Sequence, residues 1–147
     1  MVIVREKLAN RDGDVAGRVR LAFEHRQRSR QRARLDSGEE IGMVMPRGEF
    51  LRGGDRVLAS DGRVFEVVSA PEKLLHIEGA SLARIAYHLG NRHVPLQLGD
   101  GFLRIAEDPV LEAMLAKLGA RLSHVEAPFE PEPGAYHPES GTERVKP

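Results

Sequence analysis

The chain has 147 residues, enough for one ordinary domain or two very small ones. Lys plus Arg and Asp plus Glu each total 22, so the net charge is zero and does not select a polyanionic or polycationic partner. The absence of cysteine excludes disulfides and thiolate metal ligands, and leaves imidazole, carboxylate and backbone groups as candidate ligands. No apolar run approaches the roughly 20 residues that cross a bilayer, and the N-terminus lacks a signal-peptide pattern, so we expect a soluble, cytoplasmic protein.

Residues 1–70 contain short apolar runs separated by Gly-Asp, Asp-Gly and Ser-Gly pairs, which is typical of a small antiparallel β structure. Asp61-Gly62 is a hairpin signal, because glycine tolerates the positive φ that tight turns require. The sequence therefore predicts an N-terminal all-β domain over residues 1–70. Its predicted strands are Val2–Leu8, Arg18–Phe23, Arg30–Leu35, Ile41–Met45, Arg56–Ala59 and Val64–Val68.

The pattern changes after residue 70 to one that alternates strands and helices. A strand at Leu74–Glu78 precedes a helix with Ser81 as N-cap and Gly90 as C-cap. A hairpin then pairs Val94–Leu98 with Phe102–Ile105, and Asp108-Pro109 begins a second helix that ends at Gly119. A last strand is expected at Arg121–Val125.

This βαββαβ order predicts a ferredoxin-like sandwich over residues 71–127, and an α+β protein as a whole. Residues 128–147 are rich in Pro, Glu and Gly and are predicted to form a flexible C-terminal tail.

The six histidines are the most informative chemical groups, because neutral imidazole commonly binds nickel, zinc and copper. His88 and His93 do not have the helical i, i+4 spacing of a zinc site, which argues against a site that these two build within one chain. His93 lies in a loop before Pro95, where it is either an outward-facing ligand or a surface residue. His76 and His124 fall on predicted strands and are expected to be partly buried and hydrogen-bonded. His137 in the tail is an accessory ligand candidate.

Arginines stand at every second position of EHRQRSRQRARL, from Arg26 to Arg34. On an extended chain all five guanidinium groups would share one face, which is either a solvated surface or a site for an acidic partner. Nucleic acid is a poorer partner, because Phe23 is the only aromatic residue near this stretch. The sequence also contains no P-loop, nucleophile elbow or dinucleotide fingerprint, so we do not expect an enzyme.

The segment AYHLGNRHVPLQ, followed by DPVLEAMLAKLG and APFEPEPGAYH, resembles the C-terminal domain of the urease accessory protein E family. The N-terminal segment with MPRG and the GD…DG hairpin resembles the β domain of the same family. This resemblance implies a nickel metallochaperone that delivers Ni(II) to the urease apoprotein activation complex. It implies docking to the urease GTPase accessory protein, and neither a nucleic-acid nor a membrane partner.

The resemblance also implies a homodimer joined through the C-terminal domains, in which His93 of both chains holds one nickel ion. His137 or water would complete the coordination, and zinc or copper ions are expected to bind the same ligands. Two departures from the family are visible. The tail has His137 alone instead of a histidine-rich run, and Ile105-Ala106-Glu107-Asp108-Pro109 replaces the histidines of a peripheral site.

Two other hypotheses remain on the residues alone. One is a protein-binding adaptor or chaperone that uses the arginine-rich strand and has purely structural histidines. The other is a small RNA-binding module, for which the second domain has few aromatic residues, Phe102 and Tyr87, before the tail.

Overall fold

A computed structural model describes residues 1–79 and 81–134. The chain divides into two compact units, Met1–Ala70 and Pro71–Pro147. The division falls where the composition changes in the sequence. A single residue, Ala70, separates the strand that ends at Ser69 from the strand that begins at Pro71.

The first unit is a six-stranded sheet with one short helix. In the sheet, β1 is parallel to β4 and β2 to β6, and the other neighbours are antiparallel. A single bridge between Val19 and Leu35 links the outer strands β2 and β3, which gives the sheet a barrel-like form. The strand order is β2-β6-β5-β1-β4-β3. The elements are β1 Ile3–Lys7, β2 Gly17–Leu21, α1 Phe23–Arg26, β3 Arg30–Arg34, β4 Glu40–Val44, β5 Arg56–Ala59 and β6 Val64–Ser69.

The core of this unit consists of the apolar side chains that alternate along the strands. In β6, Phe65 and Val67 are fully buried, and in β4 Ile41 and Met43 are fully buried. The Asp61-Gly62 turn has the predicted geometry, with φ of 92° at Gly62.

The arginine row is only partly extended, which corrects the sequence prediction. Arg26 lies in α1 and is fully buried; its Nε donates to the Leu21 carbonyl oxygen at 3.2 Å. A side chain in this position packs inside the unit and cannot join a surface row. The exposed row on β3 contains three arginines, Arg30, Arg32 and Arg34.

The second unit has its elements in the predicted βαββαβ order. Its four strands form one sheet in the order β10-β7-β9-β8, and every neighbouring pair is antiparallel. The last strand is longer than predicted, since it continues to Pro128. The elements are β7 Pro71–Glu78, α2 Leu82–Asn91, β8 Gln97–Leu98, β9 Leu103–Ala106, α3 Pro109–Lys117 and β10 Arg121–Pro128.

Both helices of this unit start as the sequence predicts. The Ser81 side chain accepts a hydrogen bond from the Arg84 amide at 3.3 Å, and Asp108 accepts from the Val110 and Leu111 amides at 2.9 and 3.1 Å. Each helix buries apolar residues that have helical spacing against Leu75, Ile77, Leu103 and Ile105 of the sheet. The buried helix residues are Ile85 and Leu89 of α2 and Leu115 of α3. In the described part of the chain, no helix is long and apolar enough to cross a membrane.

Candidate metal centre

His93 lies just after α2, at a position that normally favours glycine. Its amide donates to the Gly90 carbonyl at 3.0 Å, and the next amide, that of Val94, donates to Leu89 at 3.1 Å. These two bonds are those of a Schellman motif, in which the residue at the position of His93 takes the left-handed conformation. Val94 also packs against the apolar cluster that contains Leu89, as this motif usually requires.

The left-handed residue is His93 instead of the predicted cap, Gly90. His93 has φ of 59° and is the one non-glycine residue with positive φ in residues 1–79 and 81–134, whereas Gly90 belongs to the helix. A β-carbon in this conformation costs roughly 1–2 kcal/mol. Residues with backbone strain of this kind cluster at functional sites, which makes His93 a candidate functional residue.

The exposed imidazole of His93 lies at two neighbouring concavities. The larger has a volume of about 590 Å³ and the smaller about 300 Å³. The larger is lined by Gly90, His93, Val94, Pro95, Leu96, Glu132, Pro133 and Gly134. The smaller is lined by Arg92, His93, Val94, Pro95, Ala106, Glu107, Asp108 and Leu111.

The segment after β10 forms one wall of the larger cavity. Phe129 is buried, the Glu130 amide donates to Gln97 Oε1 at 3.0 Å, and the Glu132 amide donates to the Leu96 carbonyl at 2.8 Å. These contacts hold the chain beside β8 as far as Gly134, the last residue described.

The remaining described histidines have other partners or positions. His76 is partly buried; its Nδ1 accepts from Arg104 Nε at 3.0 Å and its ring lies 4.6 Å from that of Phe102. This confirms the prediction of a hydrogen-bonded strand histidine. His88 is in the last turn of α2, with its ring 5.5 Å from Tyr87. His25 is in α1, in the first unit.

His124 forms a small ionic cluster on the surface. Its Nδ1 is 2.6 Å from Glu107 and its Nε2 is 3.1 Å from Glu112. The hydrogen bonds to Glu107, and then to Glu112, raise the pKa of His124 above its usual value of 6.5. The ring is about half exposed, so the prediction that it is hydrogen-bonded is confirmed, but the prediction that it is partly buried is wrong.

One chain does not bring a full ligand set together in its described part. Across residues 1–79 and 81–134, no three His, Asp or Glu side chains are grouped so that they could hold a metal ion. The tail candidate His137 lies outside the described residues.

Comparison with known proteins assigns both units to one family. The model of the UreE urease accessory protein N-terminal domain matches residues 3–70, and the model of its C-terminal domain matches residues 72–146. These matches cover nearly the whole chain and meet at the boundary between the two units.

Individual relatives agree with the family models. The chain is 48% identical over 140 residues to the urease accessory protein UreE of Azotobacter vinelandii, which covers 92% of this chain and 84% of that protein. It is 53% identical to UreE of Alkalilimnicola ehrlichii, over 79% of this chain and 73% of that protein. It is 52% identical to UreE of Ralstonia nicotianae, over 82% of this chain but 59% of the relative. The chain thus spans about three fifths of the length of several relatives that it matches.

The two family models, which match one domain each, define the class as an accessory protein. The chain belongs to the UreE family of urease accessory proteins. The family resemblance seen in the GNRH segment is therefore confirmed.

Two features of this site were not predicted from the sequence. The left-handed backbone of His93 cannot be predicted from the sequence, because Gly90, three residues earlier, is an equally good C-cap. Glu132 was also missed, since it is distant in sequence from His93 and lies in a segment predicted to be flexible.

Proposed function

We propose that this chain is a nickel metallochaperone that binds Ni(II) through His93 and delivers it to the urease apoprotein. The observation that carries the proposal is the position of His93. Its backbone is held in a strained left-handed conformation by two hydrogen bonds, while its imidazole is exposed beside two cavities. Such a residue has a fixed backbone and an exposed side chain.

The chemistry of the available ligands suits a cargo ion. Neutral imidazole binds nickel well, and without thiolates the remaining coordination positions are open to water, which a recipient protein can displace. Because a protonated imidazole cannot bind a metal ion, nickel affinity is expected to fall as the pH is lowered.

A second chain would supply the second imidazole. In a homodimer, one His93 from each copy would approach the same ion across a two-fold axis. Large apolar side chains that are exposed on the second unit support such an interface. Tyr87 on α2 is 67% exposed and Val110 on α3 is 78% exposed.

His137 is the proposed accessory ligand from the tail. Gly134 lines the same cavity as His93, and His137 follows three residues later in the sequence. A segment of three residues spans up to about 10 Å, a reach that would let this imidazole join an ion in the cavity.

The two units would divide the work. We infer from the βαββαβ order and the strand order that the second unit is a ferredoxin-like sandwich, which would bind the metal and dimerise. The β unit would dock the urease GTPase accessory protein and the urease apoprotein in the cytoplasm.

Calorimetric titration of the full chain with nickel tests the proposal. Wild type is expected to bind one nickel ion per two chains, and His93→Ala to lose this binding. His88→Ala is a matched control, because it removes a neighbouring imidazole and is expected to bind as wild type. Equal stoichiometry and affinity in wild type and His93→Ala would contradict the proposal.

A protein-binding adaptor is the second candidate, and the exposed row on β3 favours it. Arg34 pairs with Glu40 at 2.9 Å, whereas Arg30 and Arg32 make no ion pair within the described residues. On this view, replacing Arg30 and Arg32 by Gln would abolish partner binding and a chelator would not affect it. If the chain is a metallochaperone, nickel binding is expected to survive both replacements.

A further inference from the structure

The cavity of about 590 Å³ beside His93 contains a second ionisable residue. Of its eight lining residues, two can ionise, His93 and Glu132. The others are glycine, proline, valine and leucine, so an ion in this space would meet few polar side chains apart from these two.

The backbone of Glu132 is firmly placed although its side chain is exposed. Its amide donates to the Leu96 carbonyl at 2.8 Å, and Pro131 and Pro133 on either side fix their own φ angles. Phe129, 1% exposed, anchors the start of the segment. The backbone position of Glu132 in the wall of the cavity that His93 also lines is therefore set by the fold.

The Glu132 carboxylate is available, unlike those of the smaller cavity. Glu107 is paired with His124, and Asp108 caps α3 through two backbone amides. Within residues 1–79 and 81–134, the Glu132 side chain makes no hydrogen bond or ion pair. Its oxygens can thus bind an ion without breaking a contact of the fold.

We propose that Glu132 is a further ligand of the ion that His93 binds. The inference rests on the proposed function, since it assumes that nickel occupies this cavity. One imidazole and one carboxylate from each of two chains would give four protein ligands. Two carboxylates would also balance the charge of a divalent cation, which two neutral imidazoles cannot do.

Four variants of the full chain test this role by calorimetric titration with nickel chloride. Glu132→Gln keeps the shape of the side chain but removes its charge, and is expected to weaken binding about tenfold to a hundredfold. Glu132→His replaces one ligand by another and should bind within about threefold of wild type. Glu126→Gln, on β10 at the opposite edge of the sheet from β8, removes an exposed carboxylate and should have no effect. His93→Ala is the fourth.

The outcomes separate this inference from the function on which it rests. Loss of binding in His93→Ala with unchanged affinity in Glu132→Gln would overturn the role of Glu132 alone. Unchanged binding in His93→Ala would overturn the proposed function itself. X-ray absorption at the nickel edge should show two imidazoles per nickel in both wild type and Glu132→Gln. Loss of an imidazole in the variant would mean that Glu132 only positions His93, and would also overturn its role as a ligand.

Discussion

His93 has a left-handed backbone conformation, which disfavours any residue that carries a β-carbon. The Schellman motif after α2 requires a left-handed residue, and glycine adopts this conformation without the penalty that a β-carbon imposes. A histidine at this point weakens the fold locally. Ligand binding would explain the presence of histidine here, so replacing His93 is expected to have opposite effects on stability and on nickel binding.

His93→Gly is expected to stabilise the second unit by roughly 0.5–1 kcal/mol while abolishing nickel binding. Relief of left-handed strain contributes roughly 1–2 kcal/mol, and the greater freedom of glycine in the unfolded chain offsets roughly 0.5–1 kcal/mol of it. Urea denaturation without metal, followed by nickel titration, measures both effects.

His93→Ala is the control for this trade-off. Alanine keeps the β-carbon and its strain, so it should lose nickel binding without gaining stability. If His93→Gly were less stable than His93→Ala, the left-handed conformation would not be the source of the strain.

The His124 cluster should make stability depend on pH. The pKa of His124 is raised in the folded chain by Glu107 and then by Glu112, so the imidazolium is favoured by folding. The stabilisation is fully present below the unfolded pKa of about 6.5 and is lost as the pH rises through the higher folded pKa. Wild type should therefore exceed His124→Gln in unfolding free energy at pH 6, and the difference should vanish at high pH.

Urea titrations of both proteins at pH 6 and pH 9, without metal, measure this difference. Glu126→Gln, elsewhere on β10, supplies the control because it leaves the cluster intact. A gap between wild type and His124→Gln that is the same at both pH values would show that the cluster does not act through protonation.

Among the secondary-structure elements, the regular helices were predicted correctly from hydrophobic periodicity and capping residues. Both helices of the second unit were predicted with their N-caps, since Ser81 and Asp108 act locally and the apolar residues have helical spacing. The helix α1 was missed because four residues are too few to show a period. Arg26 was consequently placed on a strand, although α1 turns it into the interior.

The bounds of β8 and β10 differ from the prediction, because they depend on contacts that a local sequence pattern does not show. β8 is limited to Gln97–Leu98, since the residues before it form the Schellman motif and the cavity wall. β10 continues to Pro128 because it pairs with β7 over the full length of that strand.

Arg63 connects two turns of the first unit through ion pairs with Glu39 and Asp61. Its Nη1 and Nη2 donate to Glu39 at 2.9 and 2.6 Å, and its Nε donates to Asp61 at 2.8 Å. Hydrogen bonds from Arg63, side-chain for Glu39 and chiefly backbone for Asp61, hold the pKa values of both carboxyl groups below their usual range. Their stabilising effect is present above the unfolded values and is lost as the pH falls through the folded pKa values.

Arg63→Gln is accordingly expected to be less stable than wild type at pH 7, and this deficit is expected to shrink as the pH falls toward the folded pKa values of the two carboxyl groups. Denaturant midpoints at pH 7 and pH 3 give the comparison. Arg47→Gln is a control at an exposed arginine with no ion pair in the described residues. A deficit of equal size at both pH values would indicate lost packing on Phe65, which lies 5.1 Å from the guanidinium, and not lost ion pairing.

At the scale of the whole chain, the two-unit organisation and the family could be recognised from the sequence. The candidate site could be predicted only in part. His93 stood out through the GNRH segment, whereas the cavity that it shares with Glu132 is made when the segment after β10 returns to β8. Contacts between segments that are distant in sequence leave no periodic signal.

The proposed dimer can be tested through two exposed apolar residues of the second unit. Tyr87→Glu and Val110→Glu place a charge on the exposed apolar surface of the second unit and should convert the proposed dimer to a monomer. Sedimentation velocity measures the change, and nickel binding should weaken with it. Ala16→Glu adds the same charge at an exposed position of the first unit and should leave the dimer intact. A wild-type monomer that still binds nickel tightly would contradict the two-chain site.

The most direct test of the account is to locate the metal in crystals of the full chain grown with nickel. Anomalous difference maps collected on both sides of the nickel absorption edge identify the element and its position. The account predicts one strong nickel peak between the His93 imidazoles of two chains, in the cavity beside Glu132. A nickel peak at other residues, with His93 free of metal, would contradict it.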